Sequence, residues 1–329
     1  MGKKYFIVGG AGFIGSHLCR KILREDSDAS VTIYDNFSSG QRWHLDEIID
    51  NENFKIVEAD IKDIDKLEEA MKGHDIVYHF ASNPDIAKAM TQPDIDFWEG
   101  TYLTNNVIES MRRTGVKNLL YASGSGVYGD AKFIEADEDY SPQLPISTYG
   151  ASKLSCEVMI CSYCYMFDMN AAAFRFANVV GPNQTHGVGY DFVRKLLKNN
   201  SKLDILGDGT QSKSYIYVTD VLDAMRLVEK EYLKGYSYFN VGTKDYITVT
   251  EIADIVTDVM ELKDVKYNYS GGDRGWKGDV PIVRFNTDKV RAKGWSNKYT
   301  AAEAIRNSVM SIYEDAKNNK FGWKGEKVS

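Results

Sequence analysis

The first 25 residues constrain the fold of this chain more than any other stretch. Residues 5–8 form a short apolar run that is typical of a buried parallel strand. The spacing G-x-x-G-x-x-G follows, and apolar residues then recur at helical spacing. This order predicts a dinucleotide site, because the backbone can approach a pyrophosphate and the helix N-terminus offers it N–H groups; an ordinary strand–helix turn is the alternative. The residues predicted to contact the cofactor here are Gly9, Gly12, Phe13, Ile14 and Gly15.

A carboxylate after the second predicted strand indicates which dinucleotide binds. Residues 30–34 are apolar and β-prone, and Asp35 follows them at the expected distance from the glycines. Its carboxylate can accept hydrogen bonds from the adenosine ribose and would repel a 2′-phosphate, so NAD is predicted rather than NADP. Arg42 lies close enough in sequence to leave NADP open, and in another interpretation Asp35 only caps a turn with Asn36.

Strands and helices alternate through the first half of the chain. Further strands are predicted at residues 54–57, 76–80 and 118–122, and a long helix at 94–114. The alternation predicts an α/β fold with a doubly wound parallel sheet of the Rossmann type. Because 329 residues correspond to about two domains, a smaller C-terminal α/β domain is expected to follow it. Ligands of such sheets bind at the carboxyl ends of the strands. On that basis the cofactor is also expected to contact Asn36, Asp60, Ile61, Phe80, Ala81 and Ser82.

The predicted domain boundary lies near the middle of the chain. Residues 1–176 are expected to form the NAD-binding domain, with parts of 215–245 returning to it, and 177–315 the substrate domain. Residues 316–329 read as a loosely ordered tail because they are polar and rich in Lys and Asn.

Two residues of a later helix suggest catalysis. Tyr149 and Lys153 are four residues apart, so they share one helix face. A neighbouring ammonium favours the ionised form of a phenol, so Tyr149 could act as a general base near neutral pH. The alternative is a surface Tyr–Lys pair without catalytic function.

Composition excludes several classes of partner. The chain has 329 residues and a net charge of -7, without a basic stripe, so nucleic acid is not an expected partner. Neither a signal peptide nor an apolar run of membrane-spanning length is evident, so a cytoplasmic protein without a membrane partner is expected. The four cysteines lack metal or disulfide spacing and are expected to be buried, reduced thiols; no metal site is predicted.

The motifs together resemble the extended short-chain dehydrogenase/reductases, and within them the nucleotide-sugar epimerases of the UDP-glucose 4-epimerase kind. The resemblance covers nearly the whole chain. Its motifs are the glycine run 9–17, Asp35-Asn36, Ala59-Asp60-Ile61, Val127-Tyr128-Gly129, Tyr149-x-x-x-Lys153 and residues 175–182.

The resemblance implies a nucleoside-diphosphate sugar as substrate. It implies that Tyr149 removes the proton of the sugar 4-hydroxyl during NAD-dependent oxidation at C4, and that Lys153 holds the nicotinamide ribose. Asn178 and Lys213 would bind the diphosphate, and Arg274 lies where relatives contact phosphate and base. His186 lies in a glycine-rich loop that could close on the sugar or base, or be merely polar. Helices at 94–114 and 152–167 resemble those that form a homodimer seam in the family.

The chain departs from the family pattern at several positions, two of which concern the sugar and the diphosphate. Relatives carry a Ser or Thr that hydrogen-bonds the reacting sugar hydroxyl, and this position is Gly124 here. Ser123 or Ser125 could substitute for it, or the hydroxyl could be missing. Relatives carry an Arg-Asp pair where this chain has Lys213-Ser214. A Lys side chain cannot hold a phosphate bidentately, as Arg can.

Several outcomes of C4 oxidation remain open. Net 4-epimerisation is expected, with a 4-dehydrogenase that releases the keto sugar as the main alternative. A 4,6-dehydratase is less favoured, because Gly124-Ser125 offers no acidic residue. A non-catalytic NAD-binding sensor is the alternative from another class, although such proteins commonly lose the Tyr or Lys that this chain keeps.

Overall fold

The computed structural model describes residues 2–83, 85–131 and 134–323. Within it the chain forms two compact units. The first unit consists of Met1–Val127, Ser147–Arg175 and Leu222–Phe239. The second consists of Tyr128–Ile146, Phe176–Val221 and Asn240–Ser329. Residues 128–146 thus belong to the second unit, whereas the sequence predicts a first domain that runs uninterrupted up to residue 176.

The regular elements follow in chain order. The strands are β1 (Lys4–Val8), β2 (Ser30–Asp35), β3 (Phe54–Glu58), β4 (Ile76–His79), β5 (Asn118–Gly124), β6 (Asn170–Phe176), β7 (Asn178–Val180), β8 (Lys202–Ile205), β9 (Ser212–Lys213), β10 (Tyr215–Tyr217), β11 (Tyr236–Val241), β12 (Ile247–Thr248) and β13 (Lys266–Tyr269). The helices are α1 (Phe13–Glu25), α2 (Ile64–Met71), α3 (Leu103–Thr114), α4 (Thr148–Phe167), α5 (Val188–Lys198), α6 (Val218–Glu231), α7 (Val249–Val259), α8 (Asp288–Arg291) and α9 (Ala301–Lys317).

A seven-stranded sheet forms the centre of the first unit. Its strand order is β11-β6-β5-β4-β1-β2-β3, and β1 pairs in parallel with both β2 and β4. The pairs β2–β3 and β4–β5 are also parallel. The strand order therefore reverses between β1 and β4, which is the place where sheets of this kind bind ligands. The predicted doubly wound α/β fold is confirmed.

The central strand β1 is buried on both faces, as its continuous apolar sequence predicts. Phe6 and Val8 are fully buried in a cluster that includes Val77 of β4 and Leu119 of β5. Ile7, which points to the opposite face because successive side chains alternate, is fully buried as well. The end of β1, where the glycine turn begins, is thus fixed by packing on both sides.

The second unit is built from helices and short strand pairs. Strand β10 pairs with β7 and β13 with β8 in parallel, whereas β12 and β9 are antiparallel. Helices α5, α7 and α9 bury apolar side chains in one core, including Phe192, Ile252 and Ile305. This arrangement confirms the smaller C-terminal α/β part of the fold.

Two segments differ from the sequence prediction. The long helix predicted at 94–114 begins as a π-helix, Phe97–Tyr102, and continues as α3. The predicted loose tail is packed as far as Trp323: the rings of Phe321 and Trp323 stack at 4.6 Å, and both contact Tyr190. The rest of that tail, 324–329, lies outside the described residues. None of the helices in the described part of the chain has the length and apolar content that a membrane span requires.

Candidate active site

The glycine turn between β1 and α1 is a close backbone contact that side chains would prevent. Gly9 has a φ of +79°, and a β-carbon there would lie 2.7 Å from the amide nitrogen of Ala81. A β-carbon at Gly15 would lie 2.4 Å from the carbonyl oxygen of Gly9. Both distances are shorter than any ordinary carbon contact, so the turn requires glycine at both positions. The helix consequently lies directly against the turn.

The N-terminus of α1 has no side-chain cap among the described residues. Gly12 precedes the helix in an extended conformation, and among the described side chains none caps it. The first N–H groups of a helix have no intrahelical acceptor. Those of Phe13 and Ile14 therefore remain for an anion, and the first turn carries no acidic residue that would repel one. This cradle fits the pyrophosphate of a dinucleotide.

Asp35 connects the end of β2 to the glycine turn. One carboxylate oxygen accepts a hydrogen bond from the Ala11 N–H at 2.8 Å, and the other from the Phe37 N–H at 2.9 Å. Burial raises the pKa of the Asp35 carboxyl above its ordinary value, while the two backbone donors oppose that shift. Asp35 therefore does cap the turn that follows β2, through its bond to the Phe37 N–H. A carboxylate has further lone pairs, so ribose binding by Asp35 remains compatible with both bonds.

The other predicted cofactor residues lie at the carboxyl ends of neighbouring strands. The Asn36 side-chain amide donates to the Asp60 carboxylate at 3.1 Å, and Ile61 beside it is buried. Arg42 pairs with Glu58 at 2.5 Å. Its guanidinium is thus engaged by a carboxylate, which weakens the argument for a 2′-phosphate partner. After β4 come Phe80, Ala81 and Ser82, of which Ala81 closely approaches Gly9.

Tyr149 and Lys153 lie together on the first turns of α4. The Lys153 ammonium is 5.4 Å from the centroid of the Tyr149 ring. Lys153 is only 4% exposed, and its ammonium donates to the carbonyl oxygen of Ala122 in β5 at 2.8 Å. A hydrogen bond at one end and an aromatic ring nearby compensate part of the cost of burying this charge. The ammonium is therefore fixed beside the phenol.

A buried histidine lies close to this lysine without competing for its role. His79, at the end of β4, is fully buried, and its Nε2 lies 3.0 Å from the Thr104 hydroxyl. Burial, and to a smaller extent the charge of Lys153, lowers the pKa of His79 to about 3. The imidazole is therefore neutral near pH 7, and Lys153 supplies the positive charge next to Tyr149.

The structure distinguishes the two serines around Gly124. Ser123 is buried, and its hydroxyl donates to the Glu157 carboxylate at 2.5 Å. Arg175 holds the same carboxylate through its Nε at 3.1 Å and its Nη2 at 2.7 Å. The Ser123 hydroxyl hydrogen is thus committed to a buried ion pair, whereas Ser125 begins the next turn and is only half-buried.

Gly124 itself lies beside open space. Apart from Gly124 and its two chain neighbours, no atom of the described residues comes within 4 Å of the position that a β-carbon would take there. The family's Ser or Thr could therefore be accommodated sterically, so the glycine is not required by packing.

The predicted diphosphate ligands in the second unit are cations with carboxylate partners. The Lys213 ammonium lies 2.5 Å from the Asp279 carboxylate, and Arg274 lies 2.7 Å from that of Asp130. Arg274 also donates to the backbone oxygen of Asp279 at 2.8 Å, so the two cations converge on one residue. An incoming diphosphate would have to share or replace these carboxylates.

The remaining predicted substrate ligands have different surroundings. The Asn178 side-chain amide donates to the Ser214 carbonyl at 3.2 Å, which leaves its own carbonyl oxygen outside that bond. His186 is exposed in the loop before α5.

One of the four cysteines is on the surface. Cys161 is exposed, which corrects the expectation that all four thiols are buried. Cys19, Cys156 and Cys164 are buried, as expected.

Sequence reasoning missed several residues around the Tyr–Lys pair. Glu157 follows Lys153 by four positions, so helical spacing alone could have placed it on the same face. His79 and Asp96 carry no local signal, because their partners Thr104 and Thr148 are distant in sequence.

Comparison with known proteins agrees with this geometry. The model of the NAD dependent epimerase/dehydratase family matches residues 5–242. The chain is 29% identical to the UDP-glucose 4-epimerase of Mycolicibacterium smegmatis, over 92% of this chain and 96% of the relative. It is 28% identical to the dTDP-D-glucose 4,6-dehydratase of Mus musculus, over 98% of this chain and 91% of the relative. A crystal structure of UDP-galactose 4-epimerase matches with a TM-score of 0.84 and 36% identity. The match covers 95% of this chain and 99% of that structure's chain.

The chain therefore belongs to the NAD-dependent epimerase/dehydratase family, and the resemblance to extended short-chain dehydrogenases is confirmed. It is an NAD-dependent enzyme of nucleotide-sugar chemistry. The glycine turn and the uncapped α1 terminus fit this cofactor on structural grounds as well.

Proposed function

We propose that the protein interconverts the 4-epimers of a UDP-hexose. The observation that carries this proposal is the Lys153 ammonium, buried beside the Tyr149 ring and fixed by the Ala122 carbonyl. Similarity to two UDP-sugar 4-epimerases supports the choice of base and reaction. NAD, when bound, supplies reversible oxidation at C4 of the sugar.

The protein's own contribution is to hold and move a proton. The Tyr149 phenolate oxygen takes the proton of the sugar 4-hydroxyl during oxidation and returns it during reduction. The Lys153 charge stabilises the phenolate. Ser125 orients the hydroxyl, because the Ser123 hydroxyl is bonded to Glu157. Net epimerisation would follow if the 4-keto sugar turned over in the site, so that C4 received the hydride back on its opposite face while Tyr149 returned the proton to the same oxygen.

Binding of the nucleotide is assigned to the second unit. Asn178, Lys213 and Arg274 are proposed to bind the diphosphate, with His186 contributing from its loop. Since Lys213 and Arg274 already face Asp279 and Asp130, their affinity for phosphate is moderated by those carboxylates. A homologue with two arginines without such partners would hold the nucleotide more tightly.

Similarity to a dTDP-D-glucose 4,6-dehydratase favours dehydration as a second candidate. Dehydration requires an acid and a base at C5 and C6 in addition to Tyr149. Glu157 is buried in its pair with Arg175, and the segment from Gly124 to Ser125 carries no carboxylate. A dehydrogenase that releases the 4-keto sugar would use the same residues as the epimerase. Retention of Tyr149 and Lys153 argues against a non-catalytic sensor.

Product analysis tests the reaction. Purified protein is incubated with single UDP- or GDP-sugars and no added cofactor, while the absorbance of reduced nicotinamide and the sugar composition are followed. We expect two UDP-hexose 4-epimers to interconvert without accumulation of reduced cofactor. Stable reduced cofactor with a 4-keto product would indicate the dehydrogenase, and a 6-deoxy-4-keto product the dehydratase; either would overturn the proposal.

The serine assignment is tested separately. Ser125→Ala should lower kcat by about tenfold to hundredfold, because a hydrogen bond to the reacting oxygen is lost. In Ser125→Ala, the further change Gly124→Ser should restore part of the activity, since the site has room for a side chain. Unchanged kcat in Ser125→Ala would remove Ser125 from the mechanism.

We also propose that the protein forms a homodimer through its exposed helical surfaces. On α4, Val158, Tyr165 and Met166 are 59%, 92% and 67% exposed, and Phe97 and Trp98 are about half exposed on the π-helix. Large exposed apolar patches mark sites of protein–protein interaction. Light scattering should give twice the chain mass of 37.1 kDa, and Tyr165→Asp should halve it. A monomer at micromolar concentration would contradict this assignment.

A further inference from the structure

A buried carboxylate holds the first turn of α4 from outside the helix. Asp96 is 1% exposed and immediately precedes the π-helix Phe97–Tyr102. One carboxylate oxygen accepts a hydrogen bond from the Thr148 hydroxyl at 2.6 Å, and the other from the Asn83 side-chain amide at 2.9 Å. Its backbone oxygen accepts a hydrogen bond from the Ser152 hydroxyl at 2.7 Å. Every oxygen of this residue thus has a partner.

Two of these partners are the chain neighbours of the proposed catalytic residues. Thr148 directly precedes Tyr149, and Ser152 directly precedes Lys153. Asp96 therefore holds the neighbour of each residue of the proposed catalytic pair. Two anchors one helical turn apart fix both the rotation of the helix about its axis and its position along that axis. A single anchor would leave the rotation free.

The π-helix brings the backbone of this segment close to α4. A β-carbon at Gly100 would lie 2.3 Å from the Ser152 hydroxyl oxygen, so only glycine permits this approach without displacement. The Thr101 hydroxyl lies 2.9 Å from the same oxygen. Single π-turns within helices are rare and occur often at functional sites. Here the wider turn lets Asp96 and Ser152 meet through the backbone.

The third partner connects the same carboxylate to the predicted cofactor segment. Asn83 follows Phe80, Ala81 and Ser82 at the end of β4. Its side-chain amide reaches Asp96, while its carbonyl oxygen accepts the Asp85 N–H at 3.1 Å. Asp96 thereby bridges the segment expected to contact the cofactor and the helix that carries Tyr149.

We propose that Asp96 is a positioning residue that sets the Tyr149 hydroxyl relative to the cofactor. The inference rests on the proposed role of Tyr149 and Lys153. An amide side chain would not replace the carboxylate, because only the amide oxygen accepts hydrogen bonds, whereas Asp96 accepts through both carboxylate oxygens. A buried carboxylate is costly to desolvate, and here both of its oxygens are used to connect two functional segments. Small displacements of a reacting group can lower rates by about a hundredfold.

The test removes each bond with little change of volume. Thr148→Val deletes the hydroxyl that donates to Asp96, and Asp96→Asn keeps the side-chain size but loses one acceptor. We expect kcat to fall about tenfold to hundredfold in both variants, because the hydroxyl is misplaced, with KM within twofold and bound NAD content unchanged. Thr148→Ser, which retains the donor, should recover most of the activity.

Matched measurements separate positioning from stability. Thr114→Val removes a threonine hydroxyl that bonds the Ser110 carbonyl in α3 at 2.7 Å, remote in sequence from the catalytic pair. Its kcat should remain that of the wild type even if its melting temperature falls as far as that of Thr148→Val. If kcat instead follows melting temperature across all four variants, or Thr148→Ser fails to recover activity, Asp96 is only structural. Wild-type kcat in Thr148→Val and Asp96→Asn, with Tyr149→Phe inactive, would refute the inference alone; an active Tyr149→Phe would refute the proposed function.

Discussion

The close backbone contact at the glycine turn is the constraint on which the first unit depends. A β-carbon at Gly15 would meet the Gly9 carbonyl at 2.4 Å, so α1 can lie against the turn only with glycine there. That approach brings the uncapped helix terminus to the point where the strand order reverses. Asp35 then fixes the turn through the Ala11 N–H. The turn is thus built from backbone geometry, and we propose that the Asp35 carboxylate makes cofactor binding there specific.

The proposed catalytic pair is supported from two sides by buried polar groups. On one side the Ala122 carbonyl holds Lys153, and in the next residue of β5 Ser123 joins the pair of Glu157 and Arg175. On the other side Asp96 holds the first turn of the same helix. Buried polar groups of this kind fix geometry when all of them are bonded. The helix therefore presents Tyr149 from a rigid frame, which is what proton transfer at a defined distance needs.

Local patterns were sufficient to predict the fold and the main motifs. The glycine spacing, the carboxylate Asp35 after a strand and the four-residue separation of Tyr149 and Lys153 are each recognised within a short stretch of sequence. The family assignment followed from these and is confirmed. The order of the residues also identified the departure at Gly124, although only the structure shows the space beside it.

Long-range contacts could not be predicted in the same way. Asp96 meets Thr148 across 52 positions, and no periodic pattern marks either residue. The π-helix has the apolar pattern of an ordinary helix start, so the sequence favoured one long helix. Residues 128–146 leave the first unit because their partners are set by tertiary packing. The surface position of Cys161 likewise depends on which face of α4 is covered.

The central claim is that the Tyr149 oxygen carries the proton of the reacting hydroxyl. Tyr149→Phe removes that oxygen and keeps the ring, so kcat should fall about 10²- to 10⁴-fold while KM changes little. Tyr163→Phe is the matched control, because Tyr163 is another tyrosine of α4 whose hydroxyl donates only to Glu109 in the described contacts. The account predicts near-wild-type turnover for Tyr163→Phe and a large loss for Tyr149→Phe in the same assay. Turnover of Tyr149→Phe within a few-fold of the wild type would contradict it.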